Sequence, residues 1–158
     1  MKSFSTLLAA GAFALSAAVL SPAALAADPH AHGHDAAPAK LQLNQGKKWA
    51  TDEPLHKGMS SIYEAVHGAP AALHKATAKP EAYAEVGNRI EADVGRIVKD
   101  CKLTPAADAQ LHLVIADVIA GADAMKGAKT AKAGQAGLTK VNGALKNYGK
   151  YFDHPGWK

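Results

Sequence analysis

Residues 80–101 read PEAYAEVGNRIEADVGRIVKDC, and their apolar side chains recur at spacings of three and four. The recurring positions are Tyr83, Val86, Ile90, Val94, Ile97 and Cys101. Positions spaced in this way lie on one side of an α-helix, whereas the apolar residues of a half-buried strand alternate at every second position. The stretch therefore predicts an amphipathic helix that begins between Thr77 and Pro80 and buries one narrow stripe.

Three other stretches carry the same kind of stripe. The first begins at Thr51 or Asp52, either of which can cap a helix, and ends near Gly68. The next begins at Pro105, and the last follows residues 127–137, which read as a weak linker or a frayed helix start. The three stripes are Leu55, Met59, Ile62 and Val66; then Leu111, Ile115, Val118, Ala122 and Met125, widened by Val114 and Ile119; then Leu138, Val141, Leu145, Tyr148 and Phe152.

Four stripes of this width predict an all-α fold. Two apolar positions in seven form the seam of helices that pack on one another. Because the links are short, neighbouring helices should run antiparallel, and we expect an up-down-up-down four-helix bundle over residues 46–158. Glycines at 134, 137, 143 and 149 weaken the last helix, since each costs up to ~1 kcal/mol in a helix interior. Either that helix is marginal by itself, or the glycines let a neighbour approach closely.

The first 45 residues lie outside this helical pattern. Residues 1–26 hold a lone Lys2, an uncharged apolar run from Phe4 to Leu20 and small residues that end at Ala26. These features are typical of a secretory signal peptide cleaved after Ala26, so we expect a periplasmic protein with no stable membrane insertion after cleavage. Residues 27–45 are rich in Ala, Pro, His and Asp without a sustained apolar period, which predicts a disordered arm.

The charge pattern argues against a nucleic-acid partner. The formal net charge is +4, from 18 Lys and Arg against 14 Asp and Glu. Nucleic-acid-binding proteins gather their basic residues in a patch or stripe, whereas the basic residues of this chain are spread among acidic ones. We therefore expect no binding to nucleic acid.

An antiparallel bundle would bring several metal-ligating side chains to one pole. These side chains are Met59, Cys101, His112 and His154. A thiolate, a thioether and imidazoles suit soft or borderline ions, so they predict a metal site, with copper favoured over zinc or nickel. Packing alone also explains Met59 and Cys101, because both lie on apolar stripes. His112 can face a helix interface or water, and His154 can simply bond a backbone carbonyl.

The arm carries a second candidate metal-binding feature. His30, His32 and His34 alternate beside Asp35. Short histidine-rich tracts bind Cu(II), Ni(II) or Zn(II), and a flexible arm suits capture or delivery of an ion rather than catalysis. The tract is equally compatible with a soluble linker.

Several short segments carry a resemblance to known proteins. Residues 43–52 read LNQGKKWATD and residues 151–157 read YFDHPGW, with DCKL at 100–103 and ADAQLH at 107–112 between them. With these segments the chain resembles, over most of its mature length, a group of small periplasmic proteobacterial proteins to which no activity is assigned. The expected architecture is also similar to that of cytochrome b562 and cytochrome c′, which hold haem between their first and last helices.

The haem resemblance implies a non-covalent site at most. Covalent attachment requires a C-x-x-C-H motif, and Cys101 is the single cysteine of the chain. A site similar to that of cytochrome b562 would pair Met59 with His154, because no histidine lies on the apolar stripe of the last helix.

Three functions are compatible with these patterns: a metal-binding or metal-buffering protein, a b-type haem electron carrier, and an interaction or stress protein without a cofactor. An enzyme is not expected, because the sequence holds no local nucleophile motif and its carboxylates fall mainly on polar helix faces. The lone Cys101 is also compatible with a homodimer, which the sequence leaves open.

Overall fold

The computed structural model describes residues 40–157, so the predicted signal peptide and the arm histidines His30, His32 and His34 lie outside the described residues. The described part forms five helices: α1 (Glu53–His67), α2 (Ala71–His74), α3 (Pro80–Asp100), α4 (Pro105–Lys126) and α5 (Ala131–Tyr151). Extended pairing in residues 40–157 is limited to isolated bridges, one between Asn44 and Lys47 and one between Trp49 and Phe152. The all-α class predicted from the sequence is confirmed.

Side chains cap three of the long helices at their first residues. The carboxylate of Asp52 accepts a hydrogen bond from the Leu55 N–H at 3.0 Å. The hydroxyls of Thr104 and Thr130 accept bonds from N–H groups three residues later, at 3.4 and 3.2 Å. Each cap satisfies an N–H group that the first helical turn leaves without an intrahelical partner. The caps explain why α1 and α4 begin where the sequence predicts.

One helical segment differs from the sequence prediction. The short helix α2 replaces a predicted link, because Leu73 is buried and its carbonyl accepts a hydrogen bond from the Tyr83 hydroxyl at 2.8 Å. Helix α5 begins at Ala131, inside the stretch read as a weak linker or a frayed helix start, and Thr130 caps it there. Of these two interpretations the structure supports the helix start.

The predicted stripes form the core. Side chains from four helices and the segment after α5 have no exposed surface: Leu55, Met59, Ile62, Tyr83, Ile90, Val118, Met125, Val141, Tyr148 and Phe152. Ile119 differs, since 42% of its surface is exposed although it was expected to widen the buried face of α4. Eight residues of helix place it about 80° around the axis from the buried Leu111, which turns it toward solvent.

Helix α1 packs on α3, α3 on α4, and α4 on α5, and the last of these contacts is the most extensive. At the α4–α5 contact two glycines face each other. A Cβ added at Gly121 would lie 2.9 Å from the carbonyl oxygen of Gly137, and one at Gly137 would lie 2.7 Å from the carbonyl oxygen of Gly121. Of the two explanations left open for the glycines of the last helix, Gly137 therefore supports close approach. Gly143 does not, because a Cβ there would meet nothing within 4 Å.

The segments on either side of the helices join each other. The Trp49 N–H donates to the Tyr151 carbonyl at 2.8 Å, and the Asp153 N–H donates to the Trp49 carbonyl at 2.9 Å. Leu41 packs against the core, so residues 40–45 join the fold although the sequence assigned them to the arm. None of the described helices has the length and the apolar character needed to cross a membrane.

Candidate functional site

The cap of α1 also binds the end of α3. The second carboxylate oxygen of Asp52 accepts a hydrogen bond from the Lys102 N–H at 2.6 Å. The thiol of Cys101 donates to the first carboxylate oxygen, with 3.4 Å between Sγ and Oδ1. Cys101 is the residue directly after α3, and its own N–H bonds the Ile97 carbonyl. These contacts bring the start of α1 and the end of α3 together.

The surroundings of Asp52 and Cys101 shift the pKa values of both groups. Burial, together with the hydrogen bond and the negative charge of Asp52, raises the pKa of the Cys101 thiol to about 12. Burial by itself would also raise the pKa of Asp52, but hydrogen bonds from the Lys102 and Leu55 N–H groups and from the thiol outweigh it, and that pKa is lowered. Cys101 is therefore a protonated thiol beside a carboxylate at neutral pH.

A pocket of about 220 Å³ lies between the end of α3 and the first turns of α4. Its walls are Ile97, Val98, Cys101, Asp108, Leu111, His112 and Ile115. The His112 ring nitrogen Nδ1 lies 2.9 Å from the Asp108 carbonyl and 3.4 Å from its carboxylate, and 70% of the His112 side chain is exposed. Bonding at Nδ1 leaves Nε2 available as a ligand atom. A thiol, an imidazole and a carboxylate thus border one pocket.

His154 lies in a different cluster. Its ring centroid is 4.4 Å from that of His56 on α1. Its Nδ1 is 3.0 Å from the Tyr148 hydroxyl, and its Nε2 is 3.4 Å from the Ser60 hydroxyl. Burial lowers the pKa of His154, and the charge of the neighbouring His56 lowers it further. The Trp157 ring covers the same cluster, with its centroid 4.8 Å from that of His154.

The four predicted metal ligands therefore lie in three different environments. Cys101 and His112 share a pocket, His154 belongs to the cluster with His56, and Met59 is fully buried in the core. Within residues 40–157 no group of three or more His, Cys, Asp and Glu side chains is arranged to hold a metal ion. The structure thus brings two of the four predicted ligands to one pocket, and a single site with all four residues stays a prediction.

Four residues of these clusters were not identified as site residues from the sequence. Asp52 reads only as a helix cap, and its contact with Cys101 joins residues 49 positions apart. His56 and Ser60 lie one helical turn apart on α1, a spacing that places them on one face, but nothing local indicates that His154 covers that face. Asp108 precedes His112 by four residues on α4, so this pairing could have been found from helical spacing.

A larger pocket, of about 400 Å³, lies between α1 and α3. It is bordered by Asp93, which has no exposed surface. The Ser61 hydroxyl donates to this carboxylate at 2.9 Å, and Arg96 pairs with its other oxygen. Because both carboxylate oxygens already have hydrogen-bond partners, Asp93 links α1 to α3 and is not a candidate metal ligand.

Comparisons with protein-family profiles, with curated proteins and with solved structures give no significant match to this chain.

Proposed function

We propose that the chain is an exported, non-enzymatic protein of the periplasm that binds a copper ion between Cys101 and His112. One observation supports this most directly: the only cysteine of the chain and a histidine with an available Nε2 border the same pocket. The signal-like residues 1–26 support export, and the histidines at 30, 32 and 34 support handling of metal ions.

The chemistry of the pocket favours Cu(I) over zinc. A thiolate and an imidazole are good ligands for Cu(I), which is stable with two or three ligands. A structural zinc site requires four protein ligands, and a catalytic one requires three. The described part of the pocket offers Cys101, His112 and the carboxylate of Asp108, which lies 3.4 Å from Nδ1 of His112. Asp108 is thus better suited to orienting the imidazole than to binding the ion itself.

The proposed architecture is the antiparallel up-down-up-down four-helix bundle made by α1, α3, α4 and α5. It is supported by the packing order of these helices and by the short connections between α3 and α4 and between α4 and α5. In this arrangement the site lies at the pole where the start of α1 and the end of α3 meet.

An enzymatic role for the same residues is disfavoured by their hydrogen bonds. Cys101, His112 and Asp108 are the residue types of a thiol-dependent hydrolase, but such an enzyme needs a thiolate. Here burial, together with the hydrogen bond that the thiol donates to Asp52, raises the pKa of the thiol to about 12 and keeps it protonated at neutral pH. A soft metal ion can displace that proton, so the same thiol suits binding better than nucleophilic attack.

Haem is the second candidate cofactor, with Met59 and His154 as its ligands. Both residues lie near Ser60, since Met59 precedes it on α1 and His154 contacts its hydroxyl. However, Met59 has no exposed surface, and His154 already bonds Tyr148 and Ser60. Haem binding would require these groups to separate, whereas copper binding at Cys101 would displace the thiol proton that Asp52 accepts, and the His112 imidazole is already exposed.

The test is Cu(I) binding to the mature protein, measured anaerobically by competition with a chromophoric Cu(I) chelator. Cys101→Ser and His112→Ala should each weaken binding by more than the roughly 10–100-fold that loss of an outer-shell partner costs. Asp108→Asn should fall within that range. Binding to the unsubstituted protein should weaken about tenfold for each unit by which the pH is lowered near neutrality, because one proton leaves the thiol for each ion bound.

Two controls separate this proposal from its alternatives. His74→Ala removes an exposed histidine of α2 and should leave the affinity unchanged. Met59→Leu should also leave it unchanged, and a loss there would instead support the four-residue site. Unaltered Cu(I) affinity in both Cys101→Ser and His112→Ala, with a helical circular dichroism spectrum retained, would refute the proposed function.

A further inference from the structure

The cleft between α1 and α3 has the size of a small-molecule site. Its volume is about 400 Å³, and most of its surface is apolar although charged side chains of both helices border it. Binding sites for small molecules are typically cavities of roughly 300–1,000 Å³ with apolar walls and a few placed polar groups. The two helices touch beside the cleft, since a Cβ added at Gly58 would collide with the side chain of Ile97. This contact fixes the separation of the helices, so the cleft is pre-formed.

A buried carboxylate holds an arginine at the wall of this cleft. Within residues 40–157, Asp93 is the one charged side chain that is fully buried. Burial of a carboxylate is costly unless it is paired, and here Arg96 pairs with it while the Ser61 hydroxyl donates to its other oxygen. The pair uses Nη2 of Arg96, whereas a guanidinium carries five N–H donors in a rigid fork. Because 62% of the Arg96 side chain is exposed, donors remain for the carboxylate of a ligand.

A second carboxylate stands one helical turn farther along α3. Asp100 follows Arg96 by four residues and borders the same cleft, and side chains at this spacing lie on one face with about 5–6 Å between their Cβ atoms. An arginine can pair with a carboxylate four residues later, but here the guanidinium is drawn to Asp93 instead. The other ion pair at the cleft joins Lys57 to Glu53 on α1. Asp100 belongs to neither pair, so it offers a negative charge to a ligand.

The charges at the cleft favour a ligand that carries both signs. A simple carboxylate on Arg96 would bring a second negative charge toward Asp100. A simple amine on Asp100 would leave the donors of Arg96 unused and would bring a second positive charge toward them. A small zwitterion satisfies both groups, because its carboxylate and its ammonium can each meet the opposite charge.

We propose that the cleft between α1 and α3 binds a free amino acid, with the carboxylate on Arg96 and the ammonium on Asp100. Pro54 and the rest of the apolar surface of the cleft then receive an aliphatic side chain. Asp93 acts as a positioning residue, since it fixes the guanidinium without touching the ligand. The site shares no residue with the pocket of Cys101 and His112, so the inference stands independently of copper binding.

The experiment compares three probes on the unsubstituted mature protein: L-leucine, isocaproate, which lacks the ammonium, and isoamylamine, which lacks the carboxylate. Isothermal titration calorimetry gives the affinities, and NMR of the isotope-labelled protein shows which backbone amides respond. L-leucine should bind about tenfold or more tightly than either analogue, because each analogue loses one hydrogen-bonded ion pair. The largest shift changes should fall on α1 near Pro54 and on α3 near Arg96.

Two substitutions assign the charges. Arg96→Lys keeps the cation that compensates Asp93 but loses the planar fork, so it should weaken both L-leucine and isocaproate by about tenfold. Asp100→Asn, at an exposed position, should weaken L-leucine by about tenfold and should not weaken isocaproate. Arg89→Lys, at an exposed position of α3 outside the cleft, is the matched control and should alter neither affinity.

The probe comparison uses the unsubstituted protein, so it decides the proposal even if a variant fails to fold. Equal affinity for L-leucine and its analogues would overturn the proposal. So would shift changes confined to residues outside α1 and α3, or no response to L-leucine at millimolar concentration.

Discussion

At the scale of single residues, His154 is the side chain whose surroundings were hardest to foresee. It is the second residue after the isolated bridge at Phe152, and it packs between the hydroxyls of Ser60 and Tyr148 beside the ring of His56. Burial raises the pKa of Tyr148, and the negative charge of Asp52 adds to this effect, so its hydroxyl stays protonated. That hydroxyl can donate to Nδ1 of a neutral His154, whose Nε2 then donates to Ser60.

This environment makes stability depend on pH. The pKa of His154 lies below its ordinary value of 6.5 in the folded protein, so the unfolded chain takes up the proton first as the pH falls. The contribution of neutral His154 is therefore present above pH 6.5 and is lost as the pH falls toward the lowered pKa. We expect the free energy of unfolding, from urea titration, to decrease between pH 7.5 and 5.5.

The substitution His154→Gln should flatten this pH dependence, because glutamine does not titrate. His74→Gln, at an exposed position on α2, should preserve it. An unchanged pH profile in the His154 variant would mean that its imidazole is not held neutral by the cluster.

At the scale of helices, the glycines determine how closely α4 and α5 approach. At Gly121 and Gly137 the backbones of α4 and α5 face each other directly, with no side chain of either residue between them. Gly149 receives the ring of Trp157, which also packs at 4.7 Å on the ring of Tyr148. The helix propensity lost at these positions is offset by packing that a larger residue would prevent.

Alanine substitutions distinguish packed glycines from unpacked ones. Gly137→Ala should destabilise the fold by about 1–3 kcal/mol, because its Cβ would be forced against the Gly121 carbonyl and Met125. Gly143→Ala, on the same helix, should stabilise it by about 0.5–1 kcal/mol, because the position is open and alanine favours the helix. Chemical unfolding of both variants provides the measurement, and equal effects would contradict the close approach of α4 and α5.

At the scale of the whole molecule, the segments before α1 and after α5 hold each other. Trp49 bonds Tyr151 and Asp153 through its backbone, and the Thr51 hydroxyl donates to the Asp153 carbonyl. Beyond these bonds, Trp157 packs edge-on against Tyr63 of α1, with ring centroids 5.4 Å apart. The residues after α5 thus connect it to α1, two helices that share few direct contacts.

Removing residues 153–158 should therefore lower the free energy of unfolding by roughly 2–4 kcal/mol, from lost hydrogen bonds and the lost burial of Trp157. Removing residues 27–38, a deletion of twice that length, should change it by less than about 0.5 kcal/mol, because that composition offers little apolar surface to a core. Thermal and urea unfolding of the two truncated proteins would test the difference. Similar losses in both would show that the arm also stabilises the fold.

The sequence by itself determined the helical class, most of the buried stripes, the start of α4 at Pro105 and, within a residue or two, the start of α1. These features depend on residues within one or two turns of each other, so spacing and capping chemistry are sufficient to predict them. Residue spacing alone did not predict that Ile119 is exposed. Whether a residue at the edge of the α4 stripe is buried depends on how α4 is rotated against its neighbours. At the start of α5 the sequence left a weak linker and a frayed helix start open, and the structure supports the helix start with Thr130 as its cap.

Only the tertiary structure decided which of the candidate ligands meet. Met59, Cys101, His112 and His154 were placed together by chain topology, yet Cys101 shares its pocket with His112, and His154 faces His56. Topology determines which helix ends are close, whereas the direction of each side chain depends on helix rotation and on long-range bonds such as the one from Cys101 to Asp52. Those bonds join residues far apart in the chain, and no local pattern encodes them.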